Sequence, residues 1–385
     1  MNFIFENFLT RENLLSCEDK FEDSRKRFQV SPMVNVICRT VGQAELQTHD
    51  SKNVIIPVGV NGAIEQWAKG EEFGGTSLFD FINDSYLEKL RDGTAILLID
   101  FSLEGYQESW LFSWFHSECE RLLIPPQAIV YVTGNMLVDR HYEEWANSRS
   151  IFNRIKCLPY ALFEEHVKTL SMMQTNIESV DEHIEYKKNN QVWAFNCPQK
   201  RARYHRHEFF DKMSVSGVLE RGLCSFPARD HYILGEKHDQ DWMHYMNRIH
   251  TDYSLKTFVS VVSEPQYYDK ELTTFTSEKV FKPIACYHPF IVLGGKGELE
   301  IMKSRGYKTF SDYFDESYDK LDDTKRMDAI IETLKYIDSI EDKVSWFESM
   351  RPVLEHNYNQ LTENSSKPDV AHIELRQYCK DYFYE

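Results

Sequence analysis

The sequence predicts an α/β chain of two domains, each a mostly parallel sheet wrapped by helices. Three observations carry that expectation. Short apolar runs bounded by turn residues recur along the chain, stretches with apolar residues at helical spacing lie between them, and a polar stretch at 164–188 without glycine or proline separates two such series. At 385 residues the chain is long enough to bury two cores. Strand, helix, strand in succession implies parallel pairing through right-handed crossovers.

In the first series, 53–58 (NVIIPV), 95–100 (AILLID), 128–135 (AIVYVTGN) and 157–160 (CLPY) read as strands. Between the second and third, Trp110, Leu111, Trp114, Phe115, Cys119 and Leu122 recur at helical spacing. Ligands of such sheets bind beyond the carboxyl ends of the strands. Asp100 and Glu104 stand at such an end, with Glu108 just beyond. An acid there can take a proton from a hydroxyl if burial lifts its pKa; it can equally cap a turn or stand solvated.

The second series begins with 191–197 (QVWAFNC) as a strand. The chain's densest positive cluster follows, with Lys200, Arg201, Arg203, His205, Arg206 and His207 leading into a helix. At a strand's end, its guanidinium groups suit a diphosphate; a solvated basic turn is the alternative. His205 and His207 read as neighbours of the helix start rather than metal ligands. A further strand follows Gly222, which ends a helix. Asp239-Gln240-Asp241 has the spacing of a D-x-D metal motif but precedes an apolar helical run, so capping is the stronger reading. Strand 256–264 (KTFVSVVSE) ends in Ser263 and Glu264, placed to read a nucleobase or sugar. In 274–294 (TFTSEKVFKPIACYHPFIVLG), Thr276 or Ser277 caps a short helix opening with Glu278 and Lys279, and 290–293 is a buried strand. A lysine in a first helical turn opposes the dipole. Beside a phosphate docked on the free N–H groups it gains a purpose, with Glu278 free to accept from ribose hydroxyls; a solvated Glu-Lys pair is the plain alternative. Beyond it, 298–306 reads as helix, 307–310 as a short strand, and 326–354 and 371–384 as helices.

Strand 256–264, then Phe275-Thr276-Ser277-Glu278-Lys279-Val280-Phe281, then Pro289-Phe290-Ile291-Val292-Leu293-Gly294, resembles the nucleotide-sugar motif of α1,3-fucosyltransferases and related viral and bacterial glycosyltransferases, over 192–318. The resemblance implies a GT-B architecture, two Rossmann-like domains facing a cleft, with the donor on the C-terminal half. It assigns the ribose to Glu278 and the diphosphate to Lys279. It places an arginine in the loop after 197, where Arg203 and Arg201 come first and Arg206 next. It also calls for a glutamate base in the N-terminal domain, a role given to Glu104, with Asp100 and Glu108 in reserve. Two departures are visible. The fucosyltransferase motif has an aromatic hydroxyl where Phe275 stands, and its segment between the two glutamates is shorter than 264–278.

Composition narrows the function classes. With 25 Phe, 21 Tyr and 7 Trp, wholesale disorder is excluded, and a net charge of −17 disfavours nucleic acid and anionic membrane as general partners. The 8 cysteines form no C-x-x-C pair, so neither a zinc site nor a disulfide framework is expected. Glu6, Arg11 and Glu12 interrupt any signal-peptide core, and no run reaches the ~20 apolar residues of a membrane span. The expectation is a cytoplasmic glycosyltransferase of the soluble microbial or viral kind. It has an acceptor domain at 1–165, a connector at 166–190, a donor domain at 191–365 and a terminal helix at 366–385 returning to the first domain. It would use a GDP- or UDP-sugar as substrate, with neither metal nor other cofactor, and a glycan or polysaccharide as acceptor. Transfer to hydroxymethylated bases in DNA by a viral enzyme, or non-catalytic nucleotide or carbohydrate binding, are the alternatives.

Overall fold

The computed structural model describes residues 4–5, 28–29, 31–34, 53–60, 77–105, 110–174, 176–231, 248–271, 273–363 and 369–384. Asp239, Asp241 and Glu108 lie outside them. The chain divides into two compact units, Met1–Leu162 with Lys367–Glu385, and Phe163–Ser366. The stretch read as a connector, 166–190, lies within the second unit, where helices cover 166–173 and 180–189.

The strands are β1 (Ile4–Phe5), β2 (Phe28–Gln29), β3 (Val54–Val60), β4 (Ala95–Phe101), β5 (Ile129–Thr133), β6 (Lys156–Pro159), β7 (Trp193–Pro198), β8 (Gly222–Ser225), β9 (Thr257–Ser263) and β10 (Phe290–Leu293). The helices used below are α1 (Asp84–Arg91), α2 (Leu111–Leu122), α3 (Val138–Ser148), α4 (Leu162–Met173), α5 (Val180–Asn189), α6 (Tyr204–Val215), α7 (Thr251–Leu255), α8 (Glu278–Ala285), α9 (Glu298–Ser304), α10 (Asp323–Ser339), α11 (Lys343–Ser349), α12 (Arg351–Glu363) and α13 (Val370–Tyr384).

In the first unit the sheet runs β1-β3-β4-β5-β6, all parallel, with β2 antiparallel to β3. Both faces are covered, which is why these strands read as unbroken apolar runs rather than alternating ones. Successive side chains leave a strand on opposite sides. Val54, Ile56 and Val58 with Leu97 and Ile99 accordingly meet Leu87, Phe112, Phe115 and Tyr142 of α1–α3. Ile55, Ile96, Leu98, Val130 and Leu158 meet Ala371, Leu375 and Cys379 of α13.

The second unit holds a parallel sheet in the order β10-β9-β7-β8. The crossover from β7 leads to β8 on one side, whereas β9 lies on the other, so the order reverses between β7 and β9. That crevice is where open α/β sheets bind ligands. Both sheets are Rossmann-like, as expected. The short strand expected at 307–310 is absent. The amide and carbonyl of Lys308 instead pair with the side chain of Asn357 at 2.8 Å each, which satisfies the backbone without a neighbouring strand.

Candidate donor site at the topological switch point

The loop after β7 and the start of α6 bring the basic cluster to the reversal of strand order. Arg206 does not face outward there. It is 4% exposed, and its guanidinium donates to Ser263 Oγ at 3.1 Å, the Ser263 carbonyl at 2.7 Å and the Arg201 carbonyl at 3.1 Å. Burial, then the cation of Arg203, pulls its pKa down to about 10. With its donors committed to protein, Arg206 organises the loop, a correction to its reading as a diphosphate ligand. Ser263, its hydroxyl bound to that guanidinium and its side chain buried, holds the loop with it. Arg203 is half-buried and donates to the Pro265 carbonyl at 3.2 Å, and Arg201 is exposed. His205 packs beneath them, donating from Nε2 to the Glu264 carbonyl at 3.1 Å and stacking on Tyr267. Burial and Arg206 bring its pKa down to about 3, so it stays neutral.

Glu264 joins this loop to the Glu-Lys helix. Its Oε1 accepts from the Ser277 amide at 3.0 Å, while its carbonyl is held by His205. Fully buried, as Glu278 nearly is at 4% exposed, it braces the cap of α8. Ser277 is that cap, its hydroxyl accepting from the Lys279 amide at 3.3 Å. Lys279 reaches back over the helix start, donating from Nζ to Ser277 Oγ and Glu278 Oε1, both at 3.0 Å, with 29% of its side chain exposed. Burial would raise the pKa of Glu278, but the ammonium groups of Lys279 and Lys282 outweigh it and hold the acid below its usual value. Burial lowers Lys282 to about 8 against the opposing pull of Glu278, and the charge of Lys279 adds to the drop. Phe275 is 4% exposed and meets Phe163 edge-on at 5.8 Å between ring centroids, so it packs into the core of the second unit.

Below the helix start lie residues that sequence reading missed. Glu298, the first residue of α9, is buried and accepts from Thr276 Oγ1. Burial, and then the charge of Glu264, raises its pKa to about 8. Arg326 of α10 is fully buried and donates to the carbonyls of Tyr267 (2.8 Å), Gly294 (2.9 Å) and Leu321 (3.0 Å) and to Asp269 (2.6 Å), clamping the ends of β9 and β10. Gly294 and Gly295 allow this crowding. A Cβ on Gly295 would lie 2.9 Å from the Thr273 carbonyl oxygen, and one on Gly294 would lie 3.3 Å from Glu264 Cβ. The glycine pair was the sequence signal for a close approach; nothing in the apolar spacing of α10 marks Arg326.

In the first unit, Asp100 is fully buried and takes Ser31 Oγ at 2.6 Å, the Met33 amide at 2.8 Å and the Ser102 amide at 3.0 Å. Burial raises its pKa, yet its oxygens are consumed in tying 31–34 to the end of β4. That is a structural role, and it corrects the reading of Asp100 as a reserve base. Glu104 is exposed just beyond β4, and its backbone accepts from the Gly134 amide at 3.0 Å and Thr133 Oγ1 at 3.1 Å.

No protein-family model and no curated protein sequence matches the chain. Among solved structures, it is similar to an α1,3-fucosyltransferase with GDP-fucose, at 10% identity and TM-score 0.42 over 100% of this chain and 90% of that one. A second α1,3-fucosyltransferase structure gives 12%, 0.43, 100% and 90%. A UDP-forming α,α-trehalose-phosphate synthase from Burkholderia xenovorans gives 8%, 0.45, 92% and 79%. Identities this low concern the fold alone.

Proposed function

We propose that this chain is a glycosyltransferase that moves a sugar from a nucleoside diphosphate sugar to an acceptor hydroxyl. One observation carries the reading. The basic loop 201–206 and the Glu278–Lys279 helix start meet through two adjacent residues, Ser263 and Glu264, at the reversal of strand order. Two half-open cations, Arg203 and Lys279, and a capped helix N-terminus thus belong to the two segments that meet at this switch point. An anion with two linked charges fits that arrangement. Glu278, held anionic and adjacent, suits the vicinal hydroxyls of a ribose.

In the reaction the acceptor oxygen forms a bond to the anomeric carbon while that carbon's bond to the diphosphate oxygen breaks. The bonding pair leaves with the nucleoside diphosphate, and negative charge grows on it. Lys279 and Arg203 stand ready for that charge before it forms, so no reorganisation is needed during the step. Each such contact lowers the barrier by about 3 kcal/mol. The acceptor's proton passes to a carboxylate, for which Glu104 is our choice; a single direct displacement inverts the anomeric centre. The arrangement calls for no metal on the diphosphate, and we propose a glycan as the acceptor.

The test is a panel of GDP-, UDP- and CMP-sugars, followed by thermal shift and by slow release of free nucleotide from the donor. One nucleotide class should raise the melting temperature, and Lys279→Ala should remove most of that rise and cut turnover by about 10² to 10³. A protein indifferent to every nucleotide overturns the proposal.

A further inference from the structure

We infer that Glu264 and Glu298 share a single proton, and that Glu298 is thereby a positioning residue for the loop that presents Ser277, Glu278 and Lys279. The two carboxyl groups grip neighbouring links of that loop. Glu298 Oε1 accepts from the hydroxyl of Thr276, and Glu264 Oε1 accepts from the amide of Ser277. Consecutive Cα atoms are about 3.8 Å apart, so the two acids hold the chain at adjacent residues. Each has its other oxygen buried and without a hydrogen-bond partner among the described residues. Relative exposures are 0% for Glu264 and 1% for Glu298.

Two buried carboxylates with an orphan oxygen apiece cannot both remain charged at low cost. One proton changes both terms: it removes a charge, and its O–H turns an orphan oxygen into a donor for the other. The surroundings supply no sufficient counter-charge. Asp319, behind α9, brings a third buried acid, whose Oδ1 accepts from the Leu299 amide at 3.1 Å and whose Oδ2 has no partner. Arg326 directs its Nη groups at three carbonyls and Asp269. Lys279 attracts Glu264 from above, while Glu278 repels it. The remaining lever is the glycine at 294, whose absent Cβ leaves Glu264 its place. Because the acids belong jointly to one unit, the proton is a property of the pair.

The sign of the pH effect follows. A carboxyl whose pKa is raised in the folded protein holds a proton that the unfolded chain has released. Its stabilisation is complete below the unfolded value and is lost as pH rises through the folded one, about 8 for Glu298. Above that, two adjacent anions push the loop off its anchors.

The proton-sharing itself is independent of the donor reading; only its effect on ligand affinity rests on that reading. Infrared spectroscopy of the full chain should reveal a protonated carboxyl band at about pH 6 that fades by about pH 9 and is absent from that titration in Glu298→Gln and Glu264→Gln. The melting temperature of the wild type should fall over the same range. Glu298→Gln, a neutral isostere, should flatten the slope and be the more stable protein at the alkaline end. With GDP and UDP as probes, wild-type affinity should drop about tenfold across this range while Glu298→Gln holds its value. No titrating band in the wild type, or Glu298→Gln less stable throughout with the slope unchanged, overturns the inference. If the band titrates as expected and neither nucleotide binds at any pH, the shared proton stands and the donor reading falls.

Discussion

Arg206 and Arg203 stand three residues apart in one basic cluster, and the fold gives them opposite tasks. The Arg206 guanidinium satisfies the carbonyls of Arg201 in the loop and of buried Ser263 at the end of β9, so Arg206→Ala leaves those acceptors unpaired and should lower stability by about 3 kcal/mol in denaturant unfolding. Arg203 is half-buried and donates to the Pro265 carbonyl at 3.2 Å. Arg203→Ala should leave the unfolding midpoint within about 0.5 kcal/mol of wild type and weaken nucleotide binding instead. Equal effects of the two changes on stability would contradict this division. The basic cluster announced itself in the sequence as a local exception to an acidic chain, but which of its arginines faces inward depends on where β9 ends, and no local pattern carries that.

At the scale of elements, the start of α8 combines a hydroxyl cap, a brace from the preceding strand and a tight glycine turn. Ser277→Ala removes both the cap and one acceptor for Lys279, and should cost about 1 kcal/mol. Gly295→Ala should cost more, about 1 to 3 kcal/mol, because the atom in the way is the backbone oxygen of Thr273, which cannot rotate aside. Thermal unfolding of the two variants compares them directly, and a Gly295→Ala protein as stable as wild type would refute the crowding. The cap, the helix and the strand at 290–293 were all legible, since serine, helical spacing and an apolar run ending in glycine are local signals. The failed strand at 307–310 and the buried Phe275 were not. Asn357, 49 positions from Lys308, took over its backbone, and Phe163 took the ring that the motif places near ligand.

At the scale of the whole molecule, acid should be the protein's weak side. His183, His205 and His288 are buried, and desolvation is the main force depressing all three, with values of about 3 for the first two. Lys187, also buried, adds its charge beside His183 and His288 while donating to the carbonyls of Ser254, Leu255 and Thr257. These histidines are neutral in the folded chain and charge once it unfolds. Their stabilisation is present above the unfolded pKa of about 6.5 and is lost as pH falls toward the folded values. The denaturation midpoint should therefore drop steeply from pH about 6.5 to about 4, and His183→Gln should make the fall shallower. A midpoint constant over that range would refute it.

The sequence by itself determined the α/β class, the parallel pairing, most strands, and the Ser-Glu-Lys helix start, because each follows from the spacing of apolar residues and the chemistry of caps and turns within a few positions. The tertiary structure alone decided which charges face a crevice and which are sealed inside. Arg206, Glu264, Glu298 and Arg326 are polar residues that sequence reading places on a surface. Each is buried because a partner distant in sequence supplies hydrogen bonds in place of water, and only the folded chain brings those partners within about 3 Å.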